Sequence, residues 1–240
     1  MSPAGRGPEA DARPSQILAV NAGSSSLKLA LFEVGSDREV ERWRSQIDVA
    51  PGTTPDLVPV AAALAAEGLD RPDAIGHRVV HGGAVHTAPT RVDGRVLADL
   101  EELVAFAPLH QPASLAGIRA AARIWPDRPQ VACFDTAFHR TLDPTAFTYA
   151  LPAAARALGV RRYGFHGLSY EYVVDHLGAA AAGRVVMAHL GAGASLCALR
   201  DGCSVATTMS FTPLDGVPMG CRCPSGKRSR NRRSSPTTSR

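Results

Sequence analysis

The order of short apolar runs and helical stretches along this 240-residue chain predicts an α/β fold in layers, built on a unit that occurs twice. Two observations carry that prediction. Strand-like and helix-like segments alternate through most of the sequence. In addition, the stretch Ala19-Val20-Asn21-Ala22-Gly23-Ser24-Ser25-Ser26-Leu27 has a counterpart about 170 residues later, Ala188-His189-Leu190-Gly191-Ala192-Gly193-Ala194-Ser195-Leu196. Each reads as strand, tight turn, strand, and each turn is made of small residues whose backbone N–H groups an anion can approach.

Ile17 to Asn21 and Leu27 to Phe32 are apolar runs on either side of Gly23-Ser24-Ser25-Ser26, the pattern of a hairpin. Asp56 to Glu67 is rich in Ala and Leu and reads as a helix. Ala74 to Val80 reads as a strand. Leu97 to Phe106 and Ala113 to Trp125 are helix candidates, the second bracketed by Pro112 and Pro126. Gln130 to Phe134 reads as a buried strand and Leu168 to Leu177 as a helix. Val185 to Leu190 and Ser195 to Leu199 flank Gly191-Ala192-Gly193 as the second hairpin. Met209 to Cys223 is rich in Gly and Pro and reads as a loop.

Apolar residues make up 45% and charged residues 20%, the balance of a chain that buries a core. No apolar run reaches the roughly 20 residues of a membrane helix. Residues 1–14 contain no apolar stretch of the secretory kind and read as a disordered lead-in. The net charge of +4 comes from one place. Seven of the 26 basic residues follow Asp215, and none of the 22 acidic ones does, so residues 1–215 carry net −3. The basic tail has no aromatic residue for stacking, and no nucleic-acid partner is inferred. The five cysteines are Cys133, Cys197, Cys203, Cys221 and Cys223. An odd number fits reduced thiols and the cytoplasm. Cys221 and Cys223 are spaced C-x-C, with no His after them, which is not a zinc pattern.

Several segments carry chemistry-bearing residues. Asn21 to Lys28 gathers hydroxyls, an amide and an ammonium on one hairpin. These groups ligate phosphate oxygens, although a polar turn is the competing reading. Lys28 and Lys227 are the only lysines in the chain, so a body that otherwise uses Arg keeps one compact ammonium here. Arg78, at the end of a strand before His81-Gly82-Gly83, reads equally as a forked ligand for a carboxylate or phosphate and as half of a surface ion pair. Asp135 follows a buried strand, where a carboxylate faces a cleft or forms a turn. His166, in Tyr163-Gly164-Phe165-His166-Gly167, is either a donor to a phosphoryl oxygen or a packed loop histidine.

Taken in order, these segments resemble the signature blocks of the acetate kinases. The blocks are Asn21 to Lys28, Gly76 to Gly83, Pro108 to Pro112, Phe134 to His139, Tyr163 to Gly167, His189 to Gly193 and Phe211 to Arg222, and the resemblance covers about Ile17 to Arg222. It implies a fold of the sugar-kinase, actin and Hsp70-like superfamily: a ribonuclease-H-like domain at 15–163, followed at 164–223 by an incomplete second copy. It implies ATP or ADP with Mg2+ (or Mn2+) as cofactors, acetate and acetyl phosphate as substrates, and a homodimer. By the same resemblance Asn21 lies by the metal, and Ser24, Ser26 and Lys28 lie by the phosphates. His189, Leu190, Gly191, Ala192 and Gly193 form a second phosphate loop. Arg78 holds the substrate, Asp135 is the catalytic acidic residue, and His166 and Arg222 stabilise the transition state. The family usually has Asn at Ala192, Gly at Ser210 and Thr at Cys221. After Cys223 it continues into an acidic Gly-Asp block, where this chain turns into the basic stretch 224–240, expected to be disordered. The expectation is therefore a C-terminally truncated member with little activity of its own, against the alternative readings of an inactive fragment or a kinase for propionate or butyrate. Acetate is ionised at neutral pH and needs no general base, so Asp135 is read as orienting Mg2+ or the nucleophile.

Overall fold

The computed structural model describes residues 14–23, 26–36, 38–50, 53–69 and 71–218. Ser24, Arg222, Cys221, Cys223, the stretch 224–240 and nearly all of the lead-in lie outside the described residues. Two sheets organise what is described. The larger has six strands in the order β3-β2-β1-β4-β6-β5, and the smaller has three in the order β7-β8-β9.

In the large sheet β1 (Ser15–Ala22) and β2 (Ser26–Val34) form the first hairpin, with Asn21 opposite Lys28. β3 (Glu39–Asp48) extends it on the outside. On the other side β1 pairs in parallel with β4 (Ala74–Val79), and β4 with β6 (Gln130–Phe134). The two-residue β5 (Thr90–Arg91) closes that edge antiparallel to β6. Alternation fixes the register. Leu18 and Val20 of β1, Leu27, Leu29 and Leu31 of β2, and Ile75 of β4 all point to one face and are buried there. Helices α1 (Val58–Ala66) and α3 (Gln111–Ile124) cover that face through Val60, Leu64, Ala120 and Ala121. Between them in sequence, α2 (Gly94–Glu102) starts at the Asp93 side chain, which accepts from the Val96 N–H at 2.8 Å, and packs Val96 and Leu100 against Leu115 and Ile118 of α3.

Two short helices, α4 (Pro144–Phe147) and α5 (Ala153–Ala157), lead to α6 (Gly167–Leu177). The small sheet consists of β7 (Arg184–Leu190), β8 (Ala194–Arg200) and β9 (Cys203–Thr207), all antiparallel. Its Met187, Cys197 and Leu199 pack with Tyr170 of α6 and with Phe138. No helix among the described residues is long and apolar enough to cross a membrane.

This is the mixed α/β layering expected, with both hairpins in place. The differences are local. β3, β5 and β9 add strands where the sequence pattern is weak. α2 begins at Gly94 rather than Leu97, and Leu103 to Phe106 is a separate 3-10 turn. The Asp93 cap and the geometry of the Gly94 start explain the earlier boundary.

Candidate active site

The parallel trio β1, β4 and β6 runs in one direction, so its C-terminal ends lie along one edge of the sheet, where ligands of open α/β sheets collect. Register places Asn21 beside Arg78, and Arg78 beside Cys133. Alternation carries the same face two residues further, to Asp135. Three residues far apart in sequence therefore meet at one sheet edge because three strands end there.

The contacts follow from that placement. Arg78 Nε donates to both carboxylate oxygens of Asp135 at 3.1 Å, and its Nη2 donates to Oδ2 at 2.6 Å. Its Nη1 donates to the Asn21 side-chain oxygen at 3.1 Å. The Asp135 side chain is 3% exposed and that of Arg78 33%, so the carboxylate is inside and the fork reaches out. The Asp135 charge holds the guanidinium protonated against its burial, with the net shift upward.

The loop carrying His166 packs directly on Asp135. The Gly167 N–H donates to the Asp135 carbonyl at 2.8 Å, and a Cβ at Gly167 would lie 2.3 Å from that same oxygen, so the loop is this close only because residue 167 has no side chain. Gly164 has φ +75° and a built Cβ would lie 2.5 Å from the His139 ring, so a second glycine is required by both conformation and space. The buried His139 accepts from or donates to Ser204 Oγ at 2.8 Å and contacts the Phe165 carbonyl at 3.1 Å, holding the loop from behind. His166 itself takes the left-handed conformation, with φ 61°. Its ring stacks on that of His189 at 4.0 Å between centroids. Burial first, then the neighbouring His189, pushes the His166 ring down to about 4, so it is neutral at pH 7.

A cavity of about 120 Å³ is lined by Ala22, Gly23, Arg78, Val80, His110, Asp135, Phe165, His166 and Pro213. It combines a guanidinium–carboxylate pair and two imidazoles with the apolar side chains of Val80 and Phe165. A larger cavity of about 460 Å³ lies beyond the Gly23–Ser26 turn, lined by Ser26, Thr53, Thr54 and Arg119 among apolar groups. Arg119 is the one charged group on its wall, so the chemistry is concentrated in the smaller cavity.

Of the residues singled out in the sequence, Asn21, Arg78, Asp135 and His166 come together, and His189 joins them through its stack on His166. Lys28 is exposed opposite Asn21, on the adjoining groove that also contains Arg78 and Cys133. Ser26 is on the wall of the larger cavity, not on that of the small one. In the second hairpin Leu190 is exposed and Gly191 N–H donates to the Gly193 carbonyl at 3.0 Å, with Ala192 at the exposed tip. Ser24 and Arg222 are outside the described residues. Val80, His110 and Phe165 were not singled out as site residues. The blocks Gly76–Gly83, Pro108–Pro112 and Tyr163–Gly167 contain them, but apolar residues and a loop histidine give no chemical signal of their own.

The donor set also bears on a metal. Among the described residues no group of three or more His, Cys, Asp or Glu gathers to hold an ion. One carboxylate, Asp135, and one amide oxygen, Asn21, stand at the cavity edge. That set fits Mg2+ carried in on nucleotide phosphates, which needs one or two protein oxygens, and not a resident ion in an all-protein cage.

The profile of the Acetokinase family matches residues 60–227. The acetate kinase of Methylocella silvestris is 44% identical across 86% of this chain and 61% of its own length, and that of Nitrobacter hamburgensis is 47% identical across 86% and 59%. Among solved structures, a propionate kinase from Francisella tularensis superposes with a TM-score of 0.74 at 35% identity, covering 90% of this chain and 62% of that one. Porphyromonas gingivalis acetate kinase gives 0.71 at 30% identity, covering 89% and 62%. The fold is thus the actin-like ATPase fold of those kinases, and the chain spans about 60% of the length of the curated relatives it matches.

Proposed function

This chain belongs to the acetokinase family, and from that premise we propose that its cavity handles the carboxylate and phosphoryl half of a reversible transfer between ATP and acetate. The single observation that carries the reading is Arg78, held by Asp135 and Asn21 at the mouth of a cavity only about 120 Å³ in volume. A guanidinium fork suits a carboxylate or phosphoryl oxygen. The Val80 and Phe165 walls suit a short apolar tail.

The residues have distinct roles in this proposal. Arg78 orients the substrate anion and meets the negative charge of the transferring group. His166, neutral, offers a hydrogen bond to the same group. His110 also lines the cavity. Asp135 keeps Arg78 aimed, and with Asn21 it would hold Mg2+, which when bound screens the phosphate charges. Ser24, Ser26, Lys28 and the turn from His189 through Leu190, Gly191 and Ala192 to Gly193 would receive the phosphate chain, and Arg222 would add a second guanidinium. Acetate is already ionised at pH 7, so no residue has to remove a proton from it. Catalysis is then positioning and charge compensation. We place the reaction in the cytoplasm, in keeping with the free thiols of Cys133, Cys197 and Cys203. A homodimer is part of the same proposal.

The test is ATP formation from acetyl phosphate, ADP and Mg2+, read by luminescence, beside direct binding of acetyl phosphate to the chain. The expected result is acetyl phosphate binding that Arg78→Ala weakens at least tenfold, with ATP formation low in the chain itself and, in a version completed with a relative's second domain, acetyl-phosphate-dependent ATP that disappears in the same variant. No ATP above background together with no acetyl phosphate binding would overturn the proposal.

A further inference from the structure

We infer that Ser195 and Tyr170 are positioning residues that fix the His166 ring in one neutral tautomer, with its proton on Nε2, so that it presents a donor and not an acceptor to an anion in the cavity. The inference rests on the phosphoryl-transfer reading of this site and adds to it the device that aims one of its groups.

Two buried hydroxyls and the half-buried His166 ring form a chain. Tyr170 Oη lies 2.6 Å from Ser195 Oγ, and Ser195 Oγ lies 2.9 Å from His166 Nδ1. Ser195 is 0% exposed and Tyr170 2%, so water does not compete for these bonds. Each hydroxyl has one proton, and the protons can therefore be counted along the chain. Ser195 Oγ is the hydrogen-bond neighbour of Tyr170 Oη among the described residues, so the tyrosine proton goes to it. Ser195 accepts that proton and has one of its own to give. Its remaining neighbour is His166 Nδ1, which must then be the bare nitrogen. The ring proton sits on Nε2. Since Nδ1 faces the fully buried serine, the edge of the ring that lines the cavity is the Nε2 edge.

The opposite polarity fails on the same count. A proton on Nδ1 would be donated to Ser195 Oγ and Ser195 would donate to Tyr170 Oη, which leaves the buried tyrosine proton with no acceptor in the chain. It would also present a bare nitrogen lone pair to an anion. The stack of His166 on His189 reinforces the neutral state, because two charged imidazoles cannot lie 4.0 Å apart without repulsion.

Nitrogen-15 NMR of the histidine side chains of this chain near neutral pH tests the inference without ATP or acetate. The His166 resonances are assigned by their loss in His166→Gln. The wild type should show a protonated Nε2 and a bare Nδ1. Ser195→Ala should move the tautomer ratio toward Nδ1–H by roughly fivefold or more, the scale of one net hydrogen bond. Ser195→Thr should restore it, and Tyr170→Phe, which keeps the packed ring, should move it in the same direction as Ser195→Ala. A wild-type spectrum with the proton on Nδ1 would overturn the inference, whether or not any variant folds. So would an unchanged ratio in Tyr170→Phe together with Ser195→Ala. Failure of acetyl-phosphate-dependent ATP formation in the completed version would sink the proposed reaction and leave this measurement standing, so the two failures are distinguishable.

Discussion

Lowering the pH from about 7 to about 5 charges imidazoles in the unfolded chain that the folded chain keeps neutral. His77, His81 and His139 are 2%, 0% and 1% exposed. Burial pushes each of them down to about 4, against about 6.5 when unfolded. The folded value lies below the unfolded one, so between the two the unfolded chain binds more protons. Stability is therefore fully present above about pH 6.5 and is lost as the pH falls toward 4. Near pH 5 each ring is almost fully charged when unfolded and mostly neutral when folded. Three rings then give a slope of about 3–4 kcal/mol per pH unit, and a loss of about 5 kcal/mol between pH 7 and 5. Domains of this size are held by about 5–15 kcal/mol, so the protein should be close to unfolding in weak acid. Urea melts at several pH values, followed by the fluorescence of Trp43 and Trp125, measure the slope. His77→Gln should remove about a third of it, because His77 is bonded to the Gln130 side-chain oxygen and makes no contact with the cavity. A urea midpoint that stays the same from about pH 7 to about pH 5 would refute the reasoning.

Gly167→Ala should destabilise the fold by about 3 kcal/mol or more, because its Cβ would meet the Asp135 carbonyl at 2.3 Å and Phe138 Cβ at 2.8 Å; thermal melting checks it, and an unchanged Tm counts against the close packing of loop on strand end. Asp93→Ala should cost about 1 kcal/mol, and Asp93→Asn far less, since the side-chain oxygen caps α2; equal urea midpoints for the two variants would speak against the cap. Arg78→Lys should lower acetyl-phosphate-dependent ATP formation in the completed version by about 100- to 1,000-fold, because a point charge cannot hold Asp135 at two places and Asn21 at a third; near-normal activity would mean that charge alone suffices. Val80→Ala enlarges the small cavity and should raise activity with propionyl phosphate relative to acetyl phosphate; an unchanged ratio would remove Val80 from the substrate wall.

Much of this architecture is legible in the sequence, and the exceptions have physical reasons. Both hairpins are readable because small residues separate apolar runs, and their turns allow few other conformations. β3 is missed because Glu39, Glu41, Arg42 and Arg44 line an edge strand with no fully buried residue, so no apolar alternation marks it. β5 is two residues long and owes its existence to the neighbouring β6. β9 alternates weakly, with only Ser204 and Thr207 buried. In the site, charged and polar residues at strand ends announce themselves, whereas Val80 and Phe165 look like any core residue. Ser195 shows the same limit. In sequence it is one small residue among several in a turn, and its hydroxyl acquires a role only when α6 brings Tyr170 and His166 to it.

In the proposed reaction the Arg78–Asp135 pair lets the cavity attract an anion without carrying a large net charge. A guanidinium has five N–H donors. Nε, one from Nη1 and one from Nη2 are committed to Asp135 and Asn21. Two N–H groups remain for a substrate, so an anion can bind while the pair stays intact. The pair is neutral overall, and both nearby imidazoles are held low by burial, His166 and His110 alike. Attraction in the cavity therefore comes from directed N–H groups and not from accumulated positive charge. For the reversible transfer proposed above, directed donors allow release as well as capture. The arrangement also bears on the role proposed for Asp135. Its oxygens accept three bonds from Arg78, which leaves part of the carboxylate for the proposed Mg2+, and the proposed acceptor is already ionised at neutral pH. In the proposed reaction its contribution is to aim Arg78 from a fixed position, one residue past the end of β6.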